Sequence, residues 1–135
     1  TARMNALRIF GEDEVVPFEK GDILEDSWWN AQPQFDCIVS NPPYIREQEK
    51  QAMEAHVLEH EPHEALFVPD TDPFLFYRPI AEQAKNHLSP GGLLFFEINA
   101  QLGQEMLQML NALGYSCELR NDMQGKDRMI KAWQN

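Results

Sequence analysis

The run Phe35-Asp36-Cys37-Ile38-Val39-Ser40, followed at once by Asn41-Pro42-Pro43-Tyr44, constrains the fold more than any other stretch of the chain. The first six residues read as an apolar strand. The two prolines then forbid both a ladder and a helix, because each fixes φ and removes a backbone N–H. A stiff loop that follows a strand directly lies at a carboxyl end of the sheet. In open α/β sheets, ligands bind beyond those ends. Asn41 to Tyr44 is therefore the first candidate site.

The remaining segments supply such a sheet. Thr1 to Phe10 reads as a helix end stopped by Gly11, and Glu14 to Phe18 as a short strand that Pro17 weakens or puts at an edge. Gly21-Asp22 breaks the chain into a loop, and Trp28 to Gln34, which has no clear period, is expected to wrap the surface. Arg46 to Leu58 is polar and helix-prone, and Glu61 to Asp72 is loop-like. Leu75, Ile80, Ala84 and Leu88 have helical spacing within Phe74 to Leu88, with Asp72-Pro73 marking the start. Ser89-Pro90-Gly91-Gly92 reads as a turn, and Leu93 to Ile98 as a strand buried on both faces. Gln101 to Leu113 is an amphipathic helix closed by Gly114. Tyr115 to Leu119 and Arg128 to Trp133 form a closing antiparallel pair. Alternation of this kind implies an α/β sheet, parallel for most of its width, within one domain over residues 1–135.

Charge narrows the partners. With 11 basic and 22 acidic residues the net charge is -11, which repels polynucleotides at long range. A protein substrate is expected, with no direct nucleic-acid binding. No apolar run reaches membrane-span length. The first residues lack both a signal-peptide core and an initiator Met, so the chain is expected to be cut from a longer one. Cys37 and Cys117 sit in apolar strand-like runs and are expected to be small core hydrophobes in a reducing, cytoplasmic compartment.

The proline loop has a specific chemical use. Asn41 contributes a side-chain carbonyl, the prolines leave backbone carbonyls free as acceptors, and Tyr44 adds an aromatic face. A planar amide or exocyclic amine donates two hydrogen bonds to such acceptors and stacks on the ring, which holds its nitrogen for methylation by positioning and electrostatics. The competing reading is a rigid turn with no ligand. His56, His60 and His63 lie among glutamates, but Pro62 breaks the helix that would align them, so a solvated segment without metal is expected. Trp28-Trp29 and the methionines between Gln104 and Leu110 are expected to pack.

Phe35 to Ile45 resembles motif IV of the class I methyltransferases that modify planar nitrogen. More narrowly it resembles the HemK/PrmC family, which methylates a glutamine side chain in peptide-chain release factors. Several segments share that likeness: Glu61-Pro62 with Ala65-Leu66-Phe67, Tyr77-Arg78 with Ile80, Leu88 to Gly92 with Glu97-Ile98 and Gln101, and Asp122 to Arg128 with Gly125. The resemblance implies S-adenosyl-L-methionine as cofactor and a release factor as partner. It implies that Asn41 and the Pro42 carbonyl hold the substrate amide, with Pro43 and Tyr44 completing the grip. It also implies that Asp22 and Ile23 contact the cofactor adenine and that Asn41 borders the cofactor as well as the substrate amide. For Asp22, a plain turn residue after Gly21 is the alternative. Glu61 and Arg128 are expected to be structural ties.

The family's Gly-x-Gly turn and ribose-binding acid have no counterpart here, since the seven glycines contain no Gly-x-Gly spacing. By resemblance the strand order is 3-2-1-4-5-7-6, and strands 1 and 2 are missing. That implies a partial Rossmann-like methyltransferase sheet whose strand 4 exposes an apolar edge, open to self-association. The alternatives are an adenine-N6 or other nucleic-acid nitrogen methyltransferase, and a non-catalytic remnant used for binding or assembly.

Overall fold

Strand-forming and helix-forming segments alternate from residue 35 onward, and the chain answers with one four-stranded sheet whose helices lie between the strands in sequence. The computed structural model describes residues 2–11, 17–52 and 65–134. In chain order the elements are α1 (Ala2–Phe10), α2 (Asp26–Asn30), β1 (Phe35–Ser40), β2 (Ile45–Arg46), a 3-10 helix (Glu47–Ala52), β3 (Phe67–Val68), α3 (Tyr77–His87), β4 (Leu88–Glu97), α4 (Gly103–Ala112), β5 (Tyr115–Asn121) and β6 (Asp127–Gln134). The sheet order is β1-β4-β6-β5, with β1 parallel to β4 and the other pairs antiparallel. This is the 4-5-7-6 portion of the expected order. The expected strand over Glu14 to Phe18 falls mostly outside the described residues, and Pro17 and Phe18 carry no regular structure.

The core forms on one face of this sheet. Leu94, Phe96, Ile98, Ile130 and Ala132 are buried there against Tyr77, Ile80, Ala81 and Ala84 of α3 and Met106 and Leu110 of α4. The Tyr115 hydroxyl donates to the Ala81 carbonyl at 2.7 Å and joins β5 to α3. The opposite face pairs Cys37 with Leu93, Val39 with Phe95, and Leu93 with Trp133, and those side chains stay half-buried or exposed, Val39 at 75%. Two expectations change as a result. Leu93 to Ile98 is buried on one face rather than both. Cys37 is exposed instead of lying in the core, because it is on the outward side of β1.

Other departures are local. The turn expected at Ser89 to Gly92 lies inside β4, as a bulge: Phe35 pairs with Leu88, yet Cys37 pairs with Leu93. Gly91 takes φ +79 there, which a side chain would strain. Trp28 and Trp29 fall on the short helix α2, not on an irregular wrap. Arg46 to Leu58 begins as strand and 3-10 helix; Met53 to Leu58, and with them Glu61, His56, His60 and His63, lie outside the described residues. The helix expected from Phe74 starts at Tyr77, because Asp72 caps an earlier turn: its Oδ1 accepts from the Phe74 N–H at 3.2 Å and its carbonyl from the Leu75 N–H at 3.3 Å. Gly11 and Gly114 end α1 and α4 as expected, with φ of 77 and 87.

Replacing Leu94 by Ala removes a fully buried side chain and is expected to cost about 2–5 kcal/mol. Val39→Ala on the outer face is expected to cost less than about 0.5 kcal/mol. Urea midpoints of the two variants check the one-sided core, and equal losses would show that the outer face is covered.

Candidate functional site

Parallel pairing brings the candidate loop to its neighbours. Ser40 is the partner of Phe96, so Asn41 and Glu97 leave the two strands at the same end of the sheet. Asn41 is exposed and Pro42 buried, while Pro43 and Tyr44 are half-buried. After the prolines the chain re-enters regular structure: Ile45 donates to the Leu66 carbonyl at 2.9 Å, and Ile45 and Arg46 pair with Phe67 and Val68. The loop is therefore gripped on both sides, by β4 and by β3.

Tyr44 is held at three points. Its hydroxyl donates to Glu97 Oε1 at 2.7 Å. Its carbonyl accepts from Asn99 Nδ2 at 3.3 Å. The Arg128 guanidinium lies close to the same hydroxyl. Burial, then the hydrogen bond to Glu97 and its charge, raise the Tyr44 pKa from 10.0 to about 12, against the opposing pull of Arg128. The ring thus stays neutral over the physiological range. Tyr77, buried under the site, is pushed well above the usual phenol range, by burial first.

A second tier of polar contacts fixes these partners. Asn99 is 6% exposed; its amide nitrogen also donates to Glu49 Oε1 at 2.8 Å, and its carbonyl accepts from the Gln101 N–H at 2.9 Å. Glu49 Oε1 further takes the Arg46 N–H at 3.1 Å and Arg46 Nε at 3.0 Å, and Arg46 reaches on to Gln101. Asp122 accepts from the backbone of Lys126 at 3.0 Å and Gln124 at 2.9 Å, and pairs with Arg128 at 3.4 Å. The bond from Lys126, first, then those from Gln124 and Arg128, hold its carboxyl below the usual range. Arg128 is thereby tied at the turn and turned toward Tyr44, as a structural tie would be.

Asp22 and Ile23 sit in a turn on the other side of the loop. Asp22 Oδ1 accepts from the Leu24 N–H at 2.9 Å, and the Ile23 carbonyl accepts from Trp29 Nε1 at 2.9 Å. Trp29 is buried in the core, so α2 anchors this turn. Trp28 stacks edge-on to it, 5.0 Å between centroids, and lies so close to Gly21 that a Cβ there would fall 1.9 Å from the indole nitrogen. Asp22, Ile23, Glu25, Trp28, Pro43 and Phe76 line an open groove of about 820 Å³. Asn41 to Tyr44 border a small cavity of about 90 Å³, and Tyr44, Glu49, Asn99, Lys126 and Arg128 a polar one of about 440 Å³. Pro43 belongs to the first two and Tyr44 to the last two. The structure thus brings the two groups of expected residues to one surface, with Pro43 as the join. Sequence reading missed Glu97, Asn99, Glu49 and Arg46 as partners of the loop. For Glu97 and Asn99 the signal available was polar side chains directly following the apolar run Leu93 to Phe96.

Alkaline titration tests this electrostatic picture. Tyr44 and Tyr115 both rise to about 12, so tyrosinate absorbance is expected to lag the ordinary phenol value of 10.0. A raised folded-state pKa favours the neutral, folded form. That contribution is complete below pH 10.0 and is lost as pH rises towards about 12. Urea midpoints that do not fall across that window would refute it.

Comparison with known proteins gives matches of two kinds. Residues 7–110 match the family model described as Eco57I restriction-modification methylase. Among curated relatives, the "Release factor glutamine methyltransferase" of Flavobacterium psychrophilum is 46% identical over 132 residues, covering 97% of this chain and 45% of that protein. The protein of the same name from Bacteroides thetaiotaomicron is 46% identical over 121 residues, covering 89% and 43%. A "Bifunctional methyltransferase" of Rickettsia felis is 38% identical over 132 residues, covering 96% and 24%. The chain spans less than half the length of these relatives. Two solved structures share the fold: a methyltransferase from Pyrococcus furiosus, with TM-score 0.51 and 18% identity over 78% of this chain and 43% of that one, and a release-factor-specific protein-(glutamine-N5) methyltransferase from Alicyclobacillus acidocaldarius, with 0.50 and 22% over 81% and 56%.

Proposed function

We propose a function from one premise: this chain belongs to the Eco57I restriction-modification methylase family. The reaction is transfer of a methyl group from S-adenosyl-L-methionine to the side-chain amide nitrogen of a glutamine in a peptide-chain release factor, in the cytoplasm. This segment contributes the amide-holding loop to the whole protein. The observation that carries the reading is the position of Asn41-Pro42-Pro43-Tyr44 between the aromatic groove at Asp22 and the polar cavity at Arg128. The names of the relatives at 46% identity point the same way.

The groove fits the adenine part of the cofactor. Ile23, Trp28, Pro43 and Phe76 offer apolar and aromatic surface, and Asp22 offers an acceptor for an exocyclic amine. When bound, S-adenosylmethionine supplies an electrophilic methyl group. The chain's own residues position the nucleophile. Asn41 Oδ1 and the Pro42 carbonyl accept the two amide N–H bonds, which turns the nitrogen lone pair out of the loop. Pro43 keeps the loop rigid, and the neutral Tyr44 ring packs on the planar amide.

A second reading is an exocyclic amine of adenine in nucleic acid, which the restriction-modification description of the family favours. The net charge of -11 opposes it. A third is a non-catalytic remnant. We further propose that the chain on its own associates through the edge of β1, where Val39 is exposed; a concentration-independent monomer in sedimentation would count against it.

Titration of S-adenosylmethionine into this chain, and into a chain extended to the length of its relatives, is expected to give no measurable binding in the first case and clear binding in the second. Binding to neither would leave the remnant reading. In the extended chain, Asn41→Ala is expected to lower methyl transfer by on the order of 10²–10³-fold while sparing cofactor affinity. Transfer to a release-factor peptide, and none to single-stranded DNA, is the expected outcome; the reverse would establish the nucleic-acid reading.

A further inference from the structure

We propose that Glu97 is the positioning residue of the methyl-transfer site, setting the Tyr44 ring from the neighbouring strand, with Asn99 fixing the same residue's backbone. Two sequence-distant residues on one strand end thereby hold both the hydroxyl and the carbonyl of Tyr44, at 2.7 and 3.3 Å. An aromatic ring attached to a loop at one end only rotates about χ1 and χ2. A ring tied through its para hydroxyl keeps one orientation.

The tie is itself anchored in the core. The Glu97 carbonyl accepts from the Tyr77 hydroxyl at 2.8 Å, and the Tyr77 ring stands edge-on to Phe96 at 5.2 Å between centroids. Both Tyr77 and Phe96 are almost wholly buried. Glu97 thus has its backbone fastened to the core side and its carboxylate turned to the loop. The 3-10 helix extends the brace, since Glu49 joins Asn99 to Arg46 just beyond the loop. Two prolines stiffen the loop internally, but they do not set its angle to the sheet; Glu97 and Asn99 do.

The reaction assigned to the loop is the one proposed above, and the inference rests on that reading for its kinetic arm alone. The first arm uses the chain as it stands. Tyrosines labelled with ¹³C at Cζ are titrated by NMR, and Tyr44→Phe assigns the Tyr44 signal. In Glu97→Ala the Tyr44 titration is expected to fall from about 12 toward 10.0, while Tyr115, which burial alone raises, stays in place. An unmoved Tyr44 signal would overturn the proposal whatever the substrate is.

The second arm uses the extended chain. Glu97→Ala is expected to lower kcat by about 10²-fold with KM and cofactor affinity unchanged within about twofold. Glu97→Gln keeps an acceptor for the hydroxyl and is expected to restore most of the rate. Combining Glu97→Ala with Tyr44→Phe is expected to add nothing to the larger single loss, because one residue acts through the other. Additive losses, or an unchanged kcat, would overturn it. If Glu97→Ala does not fold, Glu97→Gln, which removes the charge but keeps an acceptor, carries the NMR arm by a smaller fall of the Tyr44 titration toward 10.0, and Tyr44→Phe, which removes the tie from the other side, carries the kinetic arm by its loss of kcat. Inactivity of the parent chain toward the glutamine peptide would sink the substrate reading alone, and the NMR arm then decides the role of Glu97.

Discussion

The parallel register between β1 and β4 is the constraint on which the candidate site depends. Val39 opposite Phe95 and Ser40 opposite Phe96 make the two strands end together. A slip of one residue would turn every side chain of β1 to the other face, burying Val39 and moving Asn41 away from Glu97 and Asn99. The bulge over Leu88 to Leu93 absorbs the mismatch at the far end of the pair, so the register at the site end stays regular.

Polar ties around the loop cost little because they are complete. Asn99 uses its amide nitrogen twice and its carbonyl once, and Glu49 gathers three donors on one oxygen. Among the described residues, no buried side-chain nitrogen or oxygen is left without a partner. A network satisfied to this degree is stiff, since moving any member strands another. Tyr44 gains a neutral hydroxyl and a fixed plane from the same arrangement.

The loop and the positions of the strands along the chain were legible because both are local, whereas the order of the strands in the sheet came from the family resemblance alone. Proline rules define Asn41 to Tyr44, and apolar runs of strand length mark β1, β4, β5 and β6. What escaped was decided across the chain. Serine, proline and glycine at 89–92 suit a turn or a bulge equally, and only pairing with Phe35 selects the bulge. The run at Cys37 is apolar whichever face is covered, so its exposure was not readable. Glu97 and Asn99 look like the polar end of a strand. Their role depends on a loop more than fifty residues earlier. Trp29 belongs to a helix of 5 residues, too short to show a period, and is buried within a core to which α3 contributes the His87 ring beside it.

β6 lies between β4 and β5 although it is later in the chain than both. Vectorial synthesis therefore produces the two flanking strands before the one that joins them. A nascent chain holds β4 with an open edge until residues 127–134 emerge, and Ile130 and Ala132 then close the core together. Arg128 travels on that same strand. The cation that faces Tyr44 thus arrives with the strand that joins β4 to β5, so order of assembly leaves the site without its cation until those two strands are bridged.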